Sequence, residues 1–149
     1  MARSLVRSSL RLTVFLPLLF SSCAVMLVGP YDPVTDEAVQ DLAKETEIFI
    51  ADVTVSGESY SKHAMFYRRA EGQLRAIELR AGLYPKNEAE LALITNLRAA
   101  FRNLRTSHQE VGPFREREAE PVRSLLRSLL HHELSKKRSA GVGSPGAQP

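Results

Sequence analysis

Four stretches of this chain repeat apolar residues at alternating spacings of four and three, the mark of a helix buried along one side. In "VTDEAVQDLAKETEIFIADV" the stripe is Thr35, Val39, Leu42, Thr46, Phe49 and Val53. Thr35 is placed to cap it, Asp36 and Glu37 suit the positive end of the helix dipole, and Ser56-Gly57 ends it. In "SYSKHAMFYRRAEGQLRAIELRAG" the stripe is Tyr60, Ala64, Tyr67, Leu74, Ile77 and Ala81. Gly72 is an internal weak point there, and Gly82 and Pro85 form the stop. "NEAELALITNLRAAFRNLRTSH" is the strongest of the four. Asn87 and Glu90 have the capping-box spacing, and Leu91, Ile94, Leu97, Phe101 and Leu104 form an unbroken stripe. After Gly112-Pro113 comes "PVRSLLRSLLHHELSKK", with Pro121 suited to a first helical turn. "FREREAE" reads equally as a separate turn or as the same helix bent at Pro121.

No strand pattern competes, and the connections are short, so neighbouring helices run antiparallel. The expected fold is all-α: an up-and-down antiparallel bundle of three to four helices spanning residues 34–138. Residues 139–149, "SAGVGSPGAQP", lack large apolar side chains and are expected to be disordered.

The first 33 residues follow a different plan. A basic "MARSLVRSSLR" precedes the apolar "LTVFLPLLF" and the small residues "SSCA", the order of an export signal. The chain's single cysteine, Cys23, stands at the end of that run. A lone cysteine in an exported chain forms no internal disulfide and calls for another role. "LFSSC" resembles the lipobox of bacterial lipoproteins, with Phe20 in place of the commoner Leu. The resemblance implies a signal peptide over 1–22, cleavage before Cys23, a diacylglycerol on its thiol and a fatty-acyl group such as palmitate on its new amino group. Residues 23–33 would then form the lipidated N-terminus and a short tether. Ala24, rather than Asp, after the cysteine favours the outer membrane over the inner. Three other readings compete at this point. Ordinary signal peptidase could cut after Ala24, residues 12–29 could serve as an uncleaved anchor near the lower length limit for a span, and Cys23 could be an apolar filler.

Charge removes one class of partner. The formal charge is +3, but Arg3, Arg7 and Arg11 lie in the leader, and the remainder balances to neutrality. No nucleic-acid partner is therefore expected. The distribution is uneven all the same. Residues 31–58 hold eight acids and one base, Lys44, whereas residues 60–86 and 98–138 are basic. Complementary faces within one bundle are the simplest account; a docking face for a periplasmic protein is the sharper one.

Candidate chemistry is sparse. His63, His108, His131 and His132 are the only histidines. No Glu-x-x-His pair occurs, and the adjacent His131 and His132 point about 100° apart on a helix, so no metal and no cofactor is expected. Motifs for a nucleophile or a phosphate loop are missing as well. "HHELSKKR" suggests either an anionic-surface contact through Lys136, Lys137 and Arg138 or a complement to the negative end of its helix. "GLYPKNE" is a capped turn that could also serve as a contact loop.

"YDPVTDEAV", "FYRRAEGQLRAIELRAGLYPKNE" and "ELSKKR" are similar to segments of small proteobacterial lipoproteins, over most of the chain after Cys23. That resemblance implies a lipid-anchored protein and supplies no catalytic residues. The expected function is thus a non-enzymatic lipoprotein of the cell envelope, held to a membrane by lipid on Cys23 and acting in protein interaction or envelope assembly. The alternative is a ligand- or metal-binding bundle, or an enzyme, with a pocket between helices near Tyr60, His63, Tyr67 and His108.

Overall fold

A computed structural model describes residues 29–141. They form four helices: α1 (Pro33–Ser56), α2 (Tyr60–Ala81), α3 (Glu88–Glu110) and α4 (Glu116–Ser139). Each packs on the two that flank it in a closed ring, α1 on α2, α2 on α3, α3 on α4 and α4 on α1. This is the expected up-and-down antiparallel bundle, with four members.

Every helix turns a stripe inward at spacings of four and three. The stripe positions are 35, 39, 42, 46, 49 and 53 in α1, where Asp36 and Ile50 beside them are buried too, and 63, 67, 70, 74, 77 and 81 in α2. In α3 they are 90, 94, 97, 101, 104 and 108, and in α4 119, 122, 126, 129, 133 and 136. A seven-residue repeat keeps the same side of a helix on its neighbours over its whole length, which is the packing of bundles and coiled coils. The middle of the stripes is apolar apart from Thr46, whose hydroxyl donates to the Leu42 carbonyl, with Leu42, Leu74, Ile77, Ile94, Leu97 and Leu129 at most 1% exposed. Each such side chain contributes roughly 1.5–3 kcal/mol through removal from water. Polar residues enter the interior mainly at the ends of the stripes.

Local signals were redirected at several points. The cap of α1 is Asp32, not Thr35. The Asp32 carboxylate accepts from Val34 N at 3.2 Å and from Thr35 Oγ1 at 2.8 Å, so Thr35 serves as a donor inside the first turn. Gly57 closes α1 at φ +63°, a left-handed conformation that favours glycine, and donates to the Val53 carbonyl. Asn87 stands at the start of α3, but its side chain donates to the Ala81 carbonyl at 3.0 Å, and Glu90 points into the bundle. The expected capping box therefore does not form. Helix α4 begins at Glu116, so "EREAE" belongs to it and Pro121 lies inside rather than in the first turn. Pro121 and Arg117 are both exposed, so water can replace the backbone bond that proline removes. Gly72 leaves α2 unbroken.

The chain is already docked where the described residues begin. Gly29 is buried, and a Cβ there would collide with the Asn87 side-chain amide. Tyr31 Oη donates to Asp36 Oδ2 at 2.8 Å. Arg80 of α2 holds Asp32 through two bonds of 2.9 and 3.0 Å. Burial alone would raise the Asp32 pKa, but the bonds from Thr35, Arg80 and the Val34 amide together hold it below the usual carboxylate range. A carboxylate with a lowered pKa stabilises the fold above its unfolded value of about 3.8, and that stability is lost as pH falls through the folded value. Asp32→Asn, which loses the charge on the Arg80 bonds, is accordingly expected to cost about 1–2 kcal/mol at pH 7, with the difference from wild type shrinking toward pH 3. Urea denaturation at the two pH values measures it; an equal deficit at both would show that the charge is irrelevant.

The uneven charge distribution is largely used inside the bundle. Arg123 of α4 grips Glu47 of α1 at 2.9–3.0 Å. Arg98 of α3 bridges Glu71 and Glu78 of α2 at 2.8 and 2.7 Å, and Arg69 of α2 lies 3.6 Å from Glu45 of α1. Each pair is worth about 0–1 kcal/mol in such settings, so they set helix register more than stability.

Candidate functional site

Two polar constellations lie at opposite ends of the bundle. The first is at the end where the chain enters, between the start of α3 and the last turns of α4. Lys136 Nζ donates to Glu90 Oε2 at 2.7 Å and to Glu133 Oε1 at 3.0 Å, and all three side chains are at most 1% exposed. His132, the residue before Glu133 in α4, completes the group. One ligand atom from each of Glu90, His132 and Glu133 lies within 4.8 Å of the others.

The electrostatics of this group follow from its count of charges. Two carboxylates face one ammonium, far from water. Burial pushes the Glu133 carboxyl up to about 7, and the Glu90 charge adds to the rise; the Lys136 hydrogen bond opposes it. For Lys136, burial favours the neutral amine, but the two carboxylates more than offset this and raise its pKa. Burial lowers the His132 pKa and keeps its ring neutral at physiological pH. Glu90 Oε1, Glu133 Oε2 and His132 Nε2 are all shielded from solvent without a hydrogen-bond partner among the described residues.

The second constellation is at the far end. It unites the four residues that the sequence nominated for an inter-helix pocket. Tyr67 Oη lies 3.1 Å from His108 Nδ1, and His108 Nε2 is 2.9 Å from the Glu58 carbonyl. Because a carbonyl only accepts, His108 Nε2 carries the proton, and Tyr67 donates to Nδ1. Tyr60 stacks on Tyr67 at 5.7 Å, and the His63 ring centroid is 6.1 Å from that of His108. His63 Nε2 approaches Glu58 Oε2 to 2.9 Å, but off the line of a hydrogen bond. Phe49, Phe66 and Phe114 pack around these rings. Burial pushes the Tyr67 phenol well above its usual range and lowers the pKa of His108, leaving both neutral. The polar atoms of Tyr67 and His108 thus bond each other and the backbone, in an arrangement that orients rings within a core.

The remaining nominated residues scatter. Lys136 is buried in the first constellation, Lys137 lies 3.6 Å from Asp36 and over the Tyr31 ring, and Arg138 is exposed. His131 is exposed on α4. Cys23 lies outside the described residues. Sequence reading missed Glu90, Glu133 and Lys136 as interior residues because Glu90 read as a cap and Lys136 as a helix-end charge, while Glu133 was assigned no role. The signal was present in the register, since positions 90, 133 and 136 continue the inward stripes without a break. No helix of the described residues is long and apolar enough to cross a membrane. Compared with known families, curated proteins and solved structures, the chain matches none.

Proposed function

We propose that this protein is a bacterial lipoprotein: exported, cut before Cys23, lipidated on that residue and facing the periplasm, with the outer membrane as its destination. Its bundle acts without catalysis, as an interaction or envelope-assembly module with a periplasmic protein partner. The observation that carries this reading is the lone cysteine at the end of "LTVFLPLLFSSC", preceded by a basic segment. Two or more acyl chains on one residue anchor stably, at roughly 0.8 kcal/mol per buried CH₂.

The docked position of Gly29 adds a geometric consequence. Only residues 24–28 separate it from Cys23, and at about 3.3–3.6 Å per residue they reach roughly 20 Å at most. A lipidated Cys23 would keep the bundle close to the bilayer, with the Asp32 and α2–α3 loop end nearest the anchor.

Cys23→Ser tests the proposal. Wild type is expected in the membrane fraction, with an intact mass that corresponds to a chain starting at Cys23 plus acyl groups. The variant is expected to be unprocessed or released, with its helical circular dichroism unchanged. An unaltered membrane fraction and mass in the variant would sink the lipoprotein reading.

A further inference from the structure

We infer that Glu90, His132 and Glu133 bind a single divalent transition-metal ion of the Zn²⁺ type between α3 and α4. The sequence pointed away from metal because no helix carries a paired ligand motif; here the ligands come from two helices, and the site exists only once those helices dock.

The first argument is the set of orphaned atoms. Glu90 Oε1, Glu133 Oε2 and His132 Nε2 are each hidden from water and each lacks a hydrogen-bond partner among the described residues. A buried polar atom left unmatched is costly, and one ligand atom from each of these three residues lies within 4.8 Å of the others, so a single ion can serve the group. All three are lone-pair atoms when His132 is protonated on Nδ1, so a cation answers them together where a hydrogen-bond donor would answer one or two.

The second argument is charge. Lys136 supplies a single ammonium to two fully buried carboxylates. It does so from one side, holding Glu90 Oε2 and Glu133 Oε1 and leaving the other oxygen of each carboxylate free. That is the part played by outer donors in metal sites, which orient ligating carboxylates through the oxygen that does not bind metal.

The ligand set narrows the ion. One neutral imidazole and two carboxylates suit Zn²⁺, Co²⁺, Fe²⁺ or Mn²⁺, whereas Ca²⁺ requires six or more oxygens, which these residues do not supply. Ligand atoms about 2.0–2.2 Å from a tetrahedral ion stand about 3.5 Å apart. The ligand atoms already lie within 4.8 Å of one another, close to that spacing. Three protein ligands leave a fourth position for water or another group.

The experiment uses the purified full-length chain, stripped with chelator and titrated with Zn²⁺ by calorimetry and with Co²⁺ by visible absorption. One equivalent is expected to bind, with Co²⁺ bands of low-coordinate intensity and a rise in unfolding temperature on adding Zn²⁺. His132→Ala and Glu90→Gln should each weaken binding at least tenfold, while His131→Ala, on the exposed neighbour, should leave it unchanged. The absence of stoichiometric binding in wild type overturns the inference. So does binding that His131→Ala removes and His132→Ala does not, which would mark a surface site. If Glu90→Gln fails to fold, the wild-type titration and the two histidine variants still decide the matter.

Discussion

Lys136→Met is expected to lower the thermal midpoint of this bundle by about 15 °C or more at pH 7 in metal-free buffer. The substitution keeps the length and apolar stem of the side chain and removes only the ammonium. Glu90 and Glu133, both 0% exposed, are then left facing each other with no counter-charge. Removing one partner of a buried ion group costs about 3–5 kcal/mol, because the remaining charge stays desolvated. In a domain of this size each kcal/mol is worth roughly 4–8 °C. The loss comes from the stranded carboxylates, not from a missing attraction, and a second variant separates the two. The triple change Glu90→Leu, Glu133→Leu and Lys136→Met removes every charge and should recover most or all of wild-type stability, as apolar replacements of buried ion groups do. Calorimetric unfolding of wild type, single and triple variants checks both statements. A single variant as stable as wild type, or a triple variant no better than the single, would refute this account of the cluster.

At the far end of the bundle the largest effect is expected from Phe49→Ala, at about 3–5 kcal/mol. Phe49 is 2% exposed and is the hub of the aromatic group. Its ring stacks on Phe66 at 4.0 Å and meets His63 and Tyr67 edge-on at 5.1 Å and Phe114 at 5.6 Å. Those partners come from α2 and from the loop before α4, so truncation leaves a cavity that no single helix can fill by shifting. The adjacent Ile48 provides the control. It is 55% exposed, and Ile48→Ala should change stability by no more than about 0.5 kcal/mol. Urea midpoints with unchanged slopes measure both. A Phe49→Ala loss no greater than that of Ile48→Ala would mean that the aromatic group is not a core.

The two ends of the bundle differ in what their polar residues do. At the histidine end, the Tyr67 and His108 groups are consumed by one another and by the Glu58 carbonyl, which fits a role in fixing ring orientation. At the entry end, Glu90 Oε1, Glu133 Oε2 and His132 Nε2 remain unmatched beside a lysine shared by two buried carboxylates. The chemistry therefore points to the entry end for binding, although the sequence had nominated the histidine end.

By itself the sequence determined the four helices, their approximate limits and the inward face of each. That information is local: a stripe at spacings of four and three can be read from any twenty residues, and Gly57 or the Gly82–Pro85 turn stops a helix wherever it lies. The proposed leader and Cys23 are likewise short linear patterns. Tertiary structure decided where the polar residues went. Asn87 and Glu90 satisfy the spacing of a capping box, yet Asn87 bonds the end of α2 and Glu90 meets a lysine 46 residues away. Thr35 yielded the cap to Asp32 because Arg80, 48 residues away, fixes that carboxylate in place. The stripe of α2 runs through His63 rather than Ala64 because the Phe49 and His108 rings receive the imidazole. A polar side chain can satisfy itself locally or across the bundle at similar free energy, and the antiparallel docking of the helices decides which.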